Sequence, residues 1–392
     1  MIIEPKIRGF ICTTAHPAGC EKSVSMEIAA VKKQVHFSDS ARSSRPKNVL
    51  VIGASTGYGL ASRITAAFGA RAATIGVSFE RPAEGKRTAS AGWYNTLAFD
   101  KFASPENLYA KSINGDAFSD EILRQTADCI RNDLGQIDLL VYSVASPRRT
   151  HPDTGKVYQS ALKPVGKPFT GKTVDAFRGE VKEITIEPAT DDEIANTIAV
   201  MGGEDWTRWI DFLLREKLLA DHCITVAYSY IGPSLTHAIY RDGTIGQAKK
   251  DLHRAADQLS EKLKPLHGKA YVSINKAVVT QASAAIPVVP LYISLLFRFM
   301  KEKGTHEDCI EQIIRLFTQY LYAEIPQPLD AEGLIRLDDH EMSPDIQQKV
   351  AAAWPEITTE NVEQETDIAG YRSDFYRLFG FGLPDVDYQA DI

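Results

Sequence analysis

Apolar and polar positions alternate along this chain in blocks that change period from strand-like to helical and back. Residues 47–53 read KNVLVIG, a short continuous apolar run entering a glycine turn, the pattern of a strand buried on both faces. Leu60, Ala61, Ile64, Ala67 and Phe68 follow at i, i+1, i+4, i+7 and i+8, so one face of a helix is apolar and can cover that strand. The alternation then repeats. It predicts strands over 73–79, 108–113 and 138–143 and helices over 91–103 and 120–132, which together make a parallel α/β sheet. After Pro147 the pattern fails for some forty residues rich in Gly, Pro and Lys, too long for an ordinary loop, and a functional insertion or small hairpin unit is expected.

Thr190 and Glu193 form a T-x-x-E capping box that opens a helix to about Met201, and a second helix is expected over 206–219. Strands over 223–229 and 270–274 and helices over 244–263, 281–303 and 307–321 complete the pattern. The last seventy residues are acidic and less periodic. The expected fold is therefore α/β: a Rossmann-type doubly wound parallel sheet flanked by helices, with insertions and a C-terminal extension. One domain spans 1–392, with a first dinucleotide-binding half at 47–146, an insertion at 147–185, a catalytic and substrate-binding part at 186–322 and the extension at 323–392.

Composition narrows the class. Hydrophobic residues make up 44% and charged residues 24% of the 392, as in a folded globular protein. The net charge of −7 argues against nucleic acid as a partner, because phosphate backbones are held by clustered Lys and Arg. A local basic stretch (Arg148, Arg149, His151, Lys156, Lys163, Lys167, Lys172) reads as a solvated loop. Five cysteines without a C-x-x-C pair suit a reducing, cytoplasmic setting. Cys12, His16 and Cys20 lie four residues apart but lack a fourth ligand, so no metal is expected and the segment reads as packed structure. The N-terminus carries charges at Glu4, Lys6 and Arg8, which excludes a secretory signal and leaves a short strand. The one uncharged stretch of membrane length, 277–297, contains Gln281, Pro287 and Pro290 and is read as strand end plus buried helix, with no stable membrane insertion.

Candidate chemistry starts at the first glycine turn. Gly53, Ala54, Ser55, Thr56, Gly57, Tyr58 and Gly59 lie between the first strand and the first helix, where backbone N–H groups and the positive end of a helix can meet a pyrophosphate. Dinucleotide binding follows from that order of elements more than from the letters. Phe79 and Glu80 end the second strand, where an acid can bond the adenosine ribose. There Glu80 would also repel the extra phosphate of NADPH by about 1–4 kcal/mol at close range, so NADH is preferred if Glu80 rather than Arg81 faces the ribose. Asp116 and Ala117 are placed to meet adenine, and Ser143, Val144, Ala145 and Ser146 to pass under the nicotinamide ribose.

Tyr240 and Lys249 are nine residues apart, which on one unbroken helix would put them on opposite faces. Asp242-Gly243 breaks the helix, however, and Thr244 with Gln247 reads as a T-x-x-Q capping box. Tyr240 then sits on a loop that can fold back over Lys249. An ammonium group there could lower the phenol's pKa and hold a ribose hydroxyl, while the phenol donates to an oxygen gaining negative charge.

Several segments carry a resemblance along the whole chain: IRGFICTTAHPAGC (7–20), GASTGYG (53–59), SAGWYN (90–95), SINGDAFSDE (112–121), VYSVASPR (141–148), AYSYIG (227–232), the Tyr240-x8-Lys249 pair, and VVTQASAAIPVVPLY (278–292). In this order they resemble the FabV-type enoyl-acyl carrier protein reductases and the related trans-2-enoyl-CoA reductases, long relatives of the short-chain dehydrogenases. The resemblance implies a monomeric enzyme that reduces the C2–C3 double bond of trans-2-enoyl thioesters, carried on acyl carrier protein or coenzyme A, as the last reductive step of fatty acid elongation. It implies Tyr240 as catalytic donor and Tyr230 as a catalytic and substrate contact. Lys249, the 53–58 turn, Phe79, Glu80, Asp116, Ala117, Val144, Ala145, Val278, Val279 and Thr280 would hold NADH/NAD+. Tyr-x3-Lys marks ordinary short-chain dehydrogenases and Tyr-x6-Lys the shorter enoyl reductases, and the spacing here fits neither. The enolate oxygen would be stabilised by Tyr240 together with Tyr230, and the helix carrying Ile286, Val288, Leu291, Ile293 and Leu295 could line an acyl site or serve as plain core. A ketoreductase or alcohol dehydrogenase on the same scaffold, or a non-catalytic NADH sensor, are the alternative readings.

Overall fold

The apolar runs fold as a parallel sheet in the computed structural model, which describes residues 2–9, 11–37 and 45–391. The chain opens with a short hairpin, β1 (Ile7–Arg8) against β2 (Ile11–Cys12), and helix α1 (Pro17–Gln34). Helix α1 is absent from the elements expected above, although Cys20, Val24, Ile28 and Val31 recur on one face and are buried. His16 starts it, its Nδ1 accepting from the Gly19 N–H at 3.2 Å, and its ring packs on Phe381 and Tyr388. Cys12 instead donates to the Thr14 carbonyl, so these residues serve the local packing of the N-terminal segment.

The α/β alternation then runs through β3 (Asn48–Ile52), α2 (Gly57–Ile64), β4 (Ala73–Ser78), α3 (Ala91–Ala103), β5 (Ala110–Asn114), α4 (Asp120–Cys129) and β6 (Ile137–Tyr142). Strand β5 begins later than expected because Asn107 is left-handed, with φ 55°, and the Leu108 N–H closes a turn on the Ala103 carbonyl. The insertion forms two antiparallel hairpins, β7 (Arg148–Thr150) with β8 (Val157–Gln159) and β9 (Phe169–Asp175) with β10 (Glu180–Ile186). Its basic stretch is not one solvated loop. Arg149 is buried on the Ala199 carbonyl (2.7 Å) and Glu204 (3.0 Å), Lys163 pairs with Glu193 (2.6 Å), and Lys172 reaches the Ile357 carbonyl (3.0 Å).

Helix α5 (Asp191–Met201) carries the capping box at Thr190 and Glu193. Helix α6 (Glu204–Arg215) stops before 219 because Lys217 turns left-handed (φ 58°), releasing Leu218 and Leu219 toward β11 (Leu219–Ser229). Then come α7 (Thr244–Leu263), β12 (Lys269–Ile274), α8 (Gln281–Ala284), α9 (Val289–Lys303), α10 (Cys309–Arg315), β13 (Ile335–Arg336), α11 (Pro344–Ala353), α12 (Val362–Glu365) and α13 (Ile368–Arg377).

Among the described residues seven parallel strands lie in the order β13-β12-β11-β6-β3-β4-β5. The chain leaves β3 to build toward β5 on one side and returns through β6 to build toward β13 on the other. That reversal opens a crevice at the carboxyl ends of β3 and β6, where ligands of open α/β sheets bind.

The helix expected over 281–303 is two helices. Pro287 and Pro290 flank Val288, which is held at φ 74°, so the chain bends there. The first half of helix α9 is then buried all round, with Leu291, Tyr292, Ile293, Leu295, Leu296 and Phe297 inaccessible beneath α11 and α13, and the helix emerges at residues 301–303. Leu291, Ile293 and Leu295 are therefore core residues, each contributing about 1.5–3 kcal/mol through burial.

Candidate active site

The carboxyl ends of β3, β4, β5, β6, β11 and β12 lead into the residues expected to hold cofactor or substrate, which lie on the loops themselves except for Gly57 and Tyr58 at the start of α2 and Lys249 within α7. At the glycine turn after β3 the backbone packs so closely that side chains have no room. A Cβ on Gly53, whose φ is +87°, would lie 2.2 Å from the Ser143 carbonyl oxygen, and one on Gly59 would lie 1.9 Å from the Gly53 oxygen. Ser143 and the following Val144 and Ala145 thus pass directly over the turn, and α2 begins at Gly57 with its N–H groups facing the crevice end. Thr280 flanks the turn from the other side, its methyl 3.9 Å from where a Cβ on Gly57 would be. Thr280 also caps α8, which fixes the Val278–Val279 backbone ahead of it. These close positions are filled by the chain's own backbone, so the glycines let strand, turn and helix pack tightly and leave the start of α2 to meet a pyrophosphate, and these residues fit a dinucleotide.

Glu80 faces this turn. Its Oε1 accepts from the Ser55 hydroxyl at 2.6 Å, its Oε2 accepts from Ser90, and its backbone is clamped to Asn114 on both sides. Gly92 is needed here, since a Cβ would come within 2.1 Å of the carboxylate. Phe79, 76% exposed, offers an aromatic face beside it. Asp116 spends one oxygen on the Phe118 N–H, and Trp209 donates to the Ala117 carbonyl at 3.2 Å, so that loop is held rather than free.

Tyr240 lies on a loop, as expected, in a run of turns from Ser234 to Gly243 where its N–H bonds the Thr236 carbonyl and its carbonyl accepts from Gly243. The T-x-x-Q box does not form. Gly243 is the N-cap of α7, and Thr244 turns its hydroxyl to the Ala161 carbonyl, tying the helix start to the insertion. The phenol of Tyr240 is 8% exposed and its hydroxyl has no protein partner among the described residues. Burial raises its pKa, and Lys249 is not among the groups acting on it, so the expected lowering by a nearby ammonium is not found. Lys249 instead donates to the Tyr228 carbonyl at 2.9 Å, and burial brings its pKa down to about 8.

Tyr230 meets Tyr240 ring edge to face, with centroids 4.8 Å apart at 89°. Its hydroxyl donates to Glu341 Oε1 at 2.8 Å. A phenol has one proton to give, and in this arrangement Tyr230 directs it to Glu341.

Sequence reading missed several residues of this neighbourhood. Asn95 donates to the Ser55 carbonyl (3.1 Å) and Ser90 holds Glu80; both sit in the SAGWYN segment, where that motif was the only signal. Lys276 and Gln312 were also missed, and both hold Tyr58, a residue the sequence did point to, through the Lys276 carbonyl at 2.8 Å and Gln312 at 3.1 Å. Glu341 and Gln312 are distant in sequence from everything they touch, and no local spacing announces them.

Three family models together match the chain nearly end to end: the NAD(P)H binding domain of trans-2-enoyl-CoA reductase at 2–85, the trans-2-enoyl-CoA reductase catalytic region at 87–322, and the enoyl reductase FAD binding domain at 329–392. An enoyl-[acyl-carrier-protein] reductase [NADH] of Opitutus terrae is 58% identical, covering 100% of this chain and 98% of the relative. A trans-2-enoyl-CoA reductase [NADH] of Ruminiclostridium cellulolyticum is likewise 58% identical over the same shares. The crystal structure of Treponema denticola trans-2-enoyl-CoA reductase in complex with NAD superposes with a TM-score of 0.96 at 53% identity, covering 100% of this chain and 98% of that one.

The residues of 329–392 do not fit a flavin dinucleotide. Among the described residues their one strand, β13, is two residues long at the sheet edge, no glycine turn leads from it into a helix, and α11 and α13 bury their apolar faces on α9. A cleft of about 430 Å³ beside α13 is lined by Ile3, Pro5, Tyr376, Phe381 and Tyr388 among others and lacks a phosphate-binding backbone cradle.

Proposed function

Because the chain belongs to the trans-2-enoyl-CoA reductase family, and so reduces the C2–C3 double bond of a trans-2-enoyl thioester with NADH, we propose that Tyr240 is the donor to the thioester oxygen and Lys249 a cofactor-holding residue. One observation supports this reading above the others: Tyr240 has a buried phenol whose hydroxyl is uncommitted among the described residues, while its neighbour Tyr230 donates its hydroxyl to Glu341.

Bound NADH supplies the hydride that C3 receives. Negative charge then develops on the thioester oxygen, and a preorganised donor in a dry site stabilises it far better than water would. Burial keeps Tyr240 protonated, so it acts as a neutral hydrogen-bond donor, and C2 takes a proton to complete the reduction. Lys249 uses one N–H on the Tyr228 carbonyl and has two more for ribose hydroxyls. Glu80, held by Ser55 and Ser90, accepts from the adenosine ribose and repels a phosphate there. The 53–58 turn, Asp116, Ala117, Val144, Ala145 and 278–280 complete the cofactor's bed in this proposal. The chain works as one Rossmann-type unit over 1–392 and as a cytoplasmic monomer, a reading supported by five free cysteines and tested by gel filtration.

NADH oxidation is to be compared for crotonyl-CoA, a longer enoyl-CoA, an enoyl-acyl carrier protein and a 3-keto thioester. Turnover of the enoyl substrates with none of the keto compound is expected, and the ratio between the two carriers identifies the natural one. Reduction of the keto thioester alone would overturn the reading in favour of a ketoreductase.

A further inference from the structure

Glu341 lies in the turn between β13 and α11, in the stretch that the flavin-named model covers, and it is completely buried. Its Oε1 accepts from the hydroxyls of Tyr230 (2.8 Å) and Tyr292 (2.6 Å), and its Oε2 accepts from the Ala277 N–H at 2.6 Å. All three partners are donors, an arrangement that an ionised carboxylate satisfies fully because it can only accept. Gln347 locks the far side by donating to the Tyr292 hydroxyl and to the Glu341 carbonyl. The buried Lys276 ammonium, held on the Ala277 carbonyl and over the Phe297 ring, adds a compensating positive charge nearby.

The two oxygens of this one side chain thus reach the two sides of the reaction centre. Oε1 fixes the ring that stands edge-on to Tyr240, and Oε2 fixes the backbone just before Val278–Thr280, which flank the glycine turn. We infer that Glu341 is a positioning residue for the reduction: it holds Tyr230 turned away from the substrate, so that the Tyr230 ring sets the placement of Tyr240 and leaves Tyr240 as the lone phenolic donor. This gives the C-terminal stretch a role that needs no flavin, and it rests on the reading of Tyr240 as donor.

The test is a double-mutant cycle in the full-length enzyme with NADH and crotonyl-CoA. Glu341→Gln keeps the shape, but its NH2, turned to the two phenols, donates to their oxygens and frees the Tyr230 O–H that the carboxylate held; turned the other way it faces the Ala277 N–H. Expected is a loss of about tenfold or more in kcat for Glu341→Gln in the wild-type background, shrinking to about threefold or less in a Tyr230→Phe background, with far-UV circular dichroism unchanged. A loss by the same factor in both backgrounds, or no loss in the first, overturns the inference. Should Glu341→Gln not yield folded protein, Glu341→Asp takes its place; the shortened carboxylate withdraws from the Tyr230 hydroxyl and the same two results decide. Tyr240→Phe is assayed alongside. Full turnover there removes the donor reading itself, whereas an inactive Tyr240→Phe with an additive cycle removes only Glu341.

Discussion

At the scale of single residues the neighbourhood works by commitment: Glu80, Tyr230 and Glu341 each have fixed hydrogen-bond partners, whereas the Tyr240 hydroxyl has none among the described residues. Glu80 is committed to Ser55 and Ser90 beside the glycine turn, and in the proposed function its charge opposes a phosphate there. Glu80→Ala is expected to raise the NADPH-to-NADH ratio of kcat/KM by about tenfold, the effect of roughly 1.4 kcal/mol of relieved repulsion. Initial rates with both cofactors check this, and an unchanged ratio would remove Glu80 from the account. Lys249 carries a pH signature. Burial lowers its pKa to about 8, so its charge is present below that value and is lost as pH rises through it. NADH affinity measured by fluorescence titration is therefore expected to weaken as pH rises through about 8. In Lys249→Arg, which stays charged, the step should vanish. The Tyr240–Lys249 spacing was readable in the sequence, but the absence of a phenol–ammonium contact was not. That depends on Lys249 finding the Tyr228 carbonyl, which no spacing within 240–249 foretells.

At the scale of elements, the strand–turn–helix unit at 48–64 was legible because its cause is local: apolar continuity, then glycines where a Cβ cannot fit. Gly59→Ala forces a methyl to within 1.9 Å of the Gly53 oxygen, so either the turn or the helix must move. Isothermal titration is expected to show NADH affinity reduced about tenfold or more, since a shifted turn misplaces the N–H groups facing the pyrophosphate. An unaltered affinity would mean that the turn does not hold the cofactor. The break at Val288 was less legible. Apolar positions run on across 281–303, and only Pro287 and Pro290 warn of the bend, where Val288 is buried at positive φ with its N–H on the Thr173 hydroxyl of the insertion. Helix α1 shows the opposite case: its period was present at Cys20, Val24, Ile28 and Val31 but shared its start with a Cys/His spacing that suggested ligands.

At the scale of the molecule, sequence showed the doubly wound parallel sheet, because repeated βα units constrain topology. It did not show how the last sixty residues reach the site. That link is made of contacts between residues 49 to 111 positions apart, Glu341 with Tyr292 and Tyr230, and of helix α13 closing over α9. Phe375, fully buried there between Phe177 and Phe379, ties the extension to the core. Phe375→Ala is expected to cost about 3–5 kcal/mol of stability. Urea unfolding followed by fluorescence and circular dichroism should shift as one transition. Two separated transitions would contradict a single cooperative unit. The central claim, that the Tyr240 hydroxyl alone meets the charge forming on the thioester oxygen, is tested most directly by single-turnover NADH oxidation with crotonyl-CoA in Tyr240→Phe. A rate lower by about a hundredfold or more, with NADH affinity retained, is the predicted result; a rate close to that of the unaltered enzyme would contradict it.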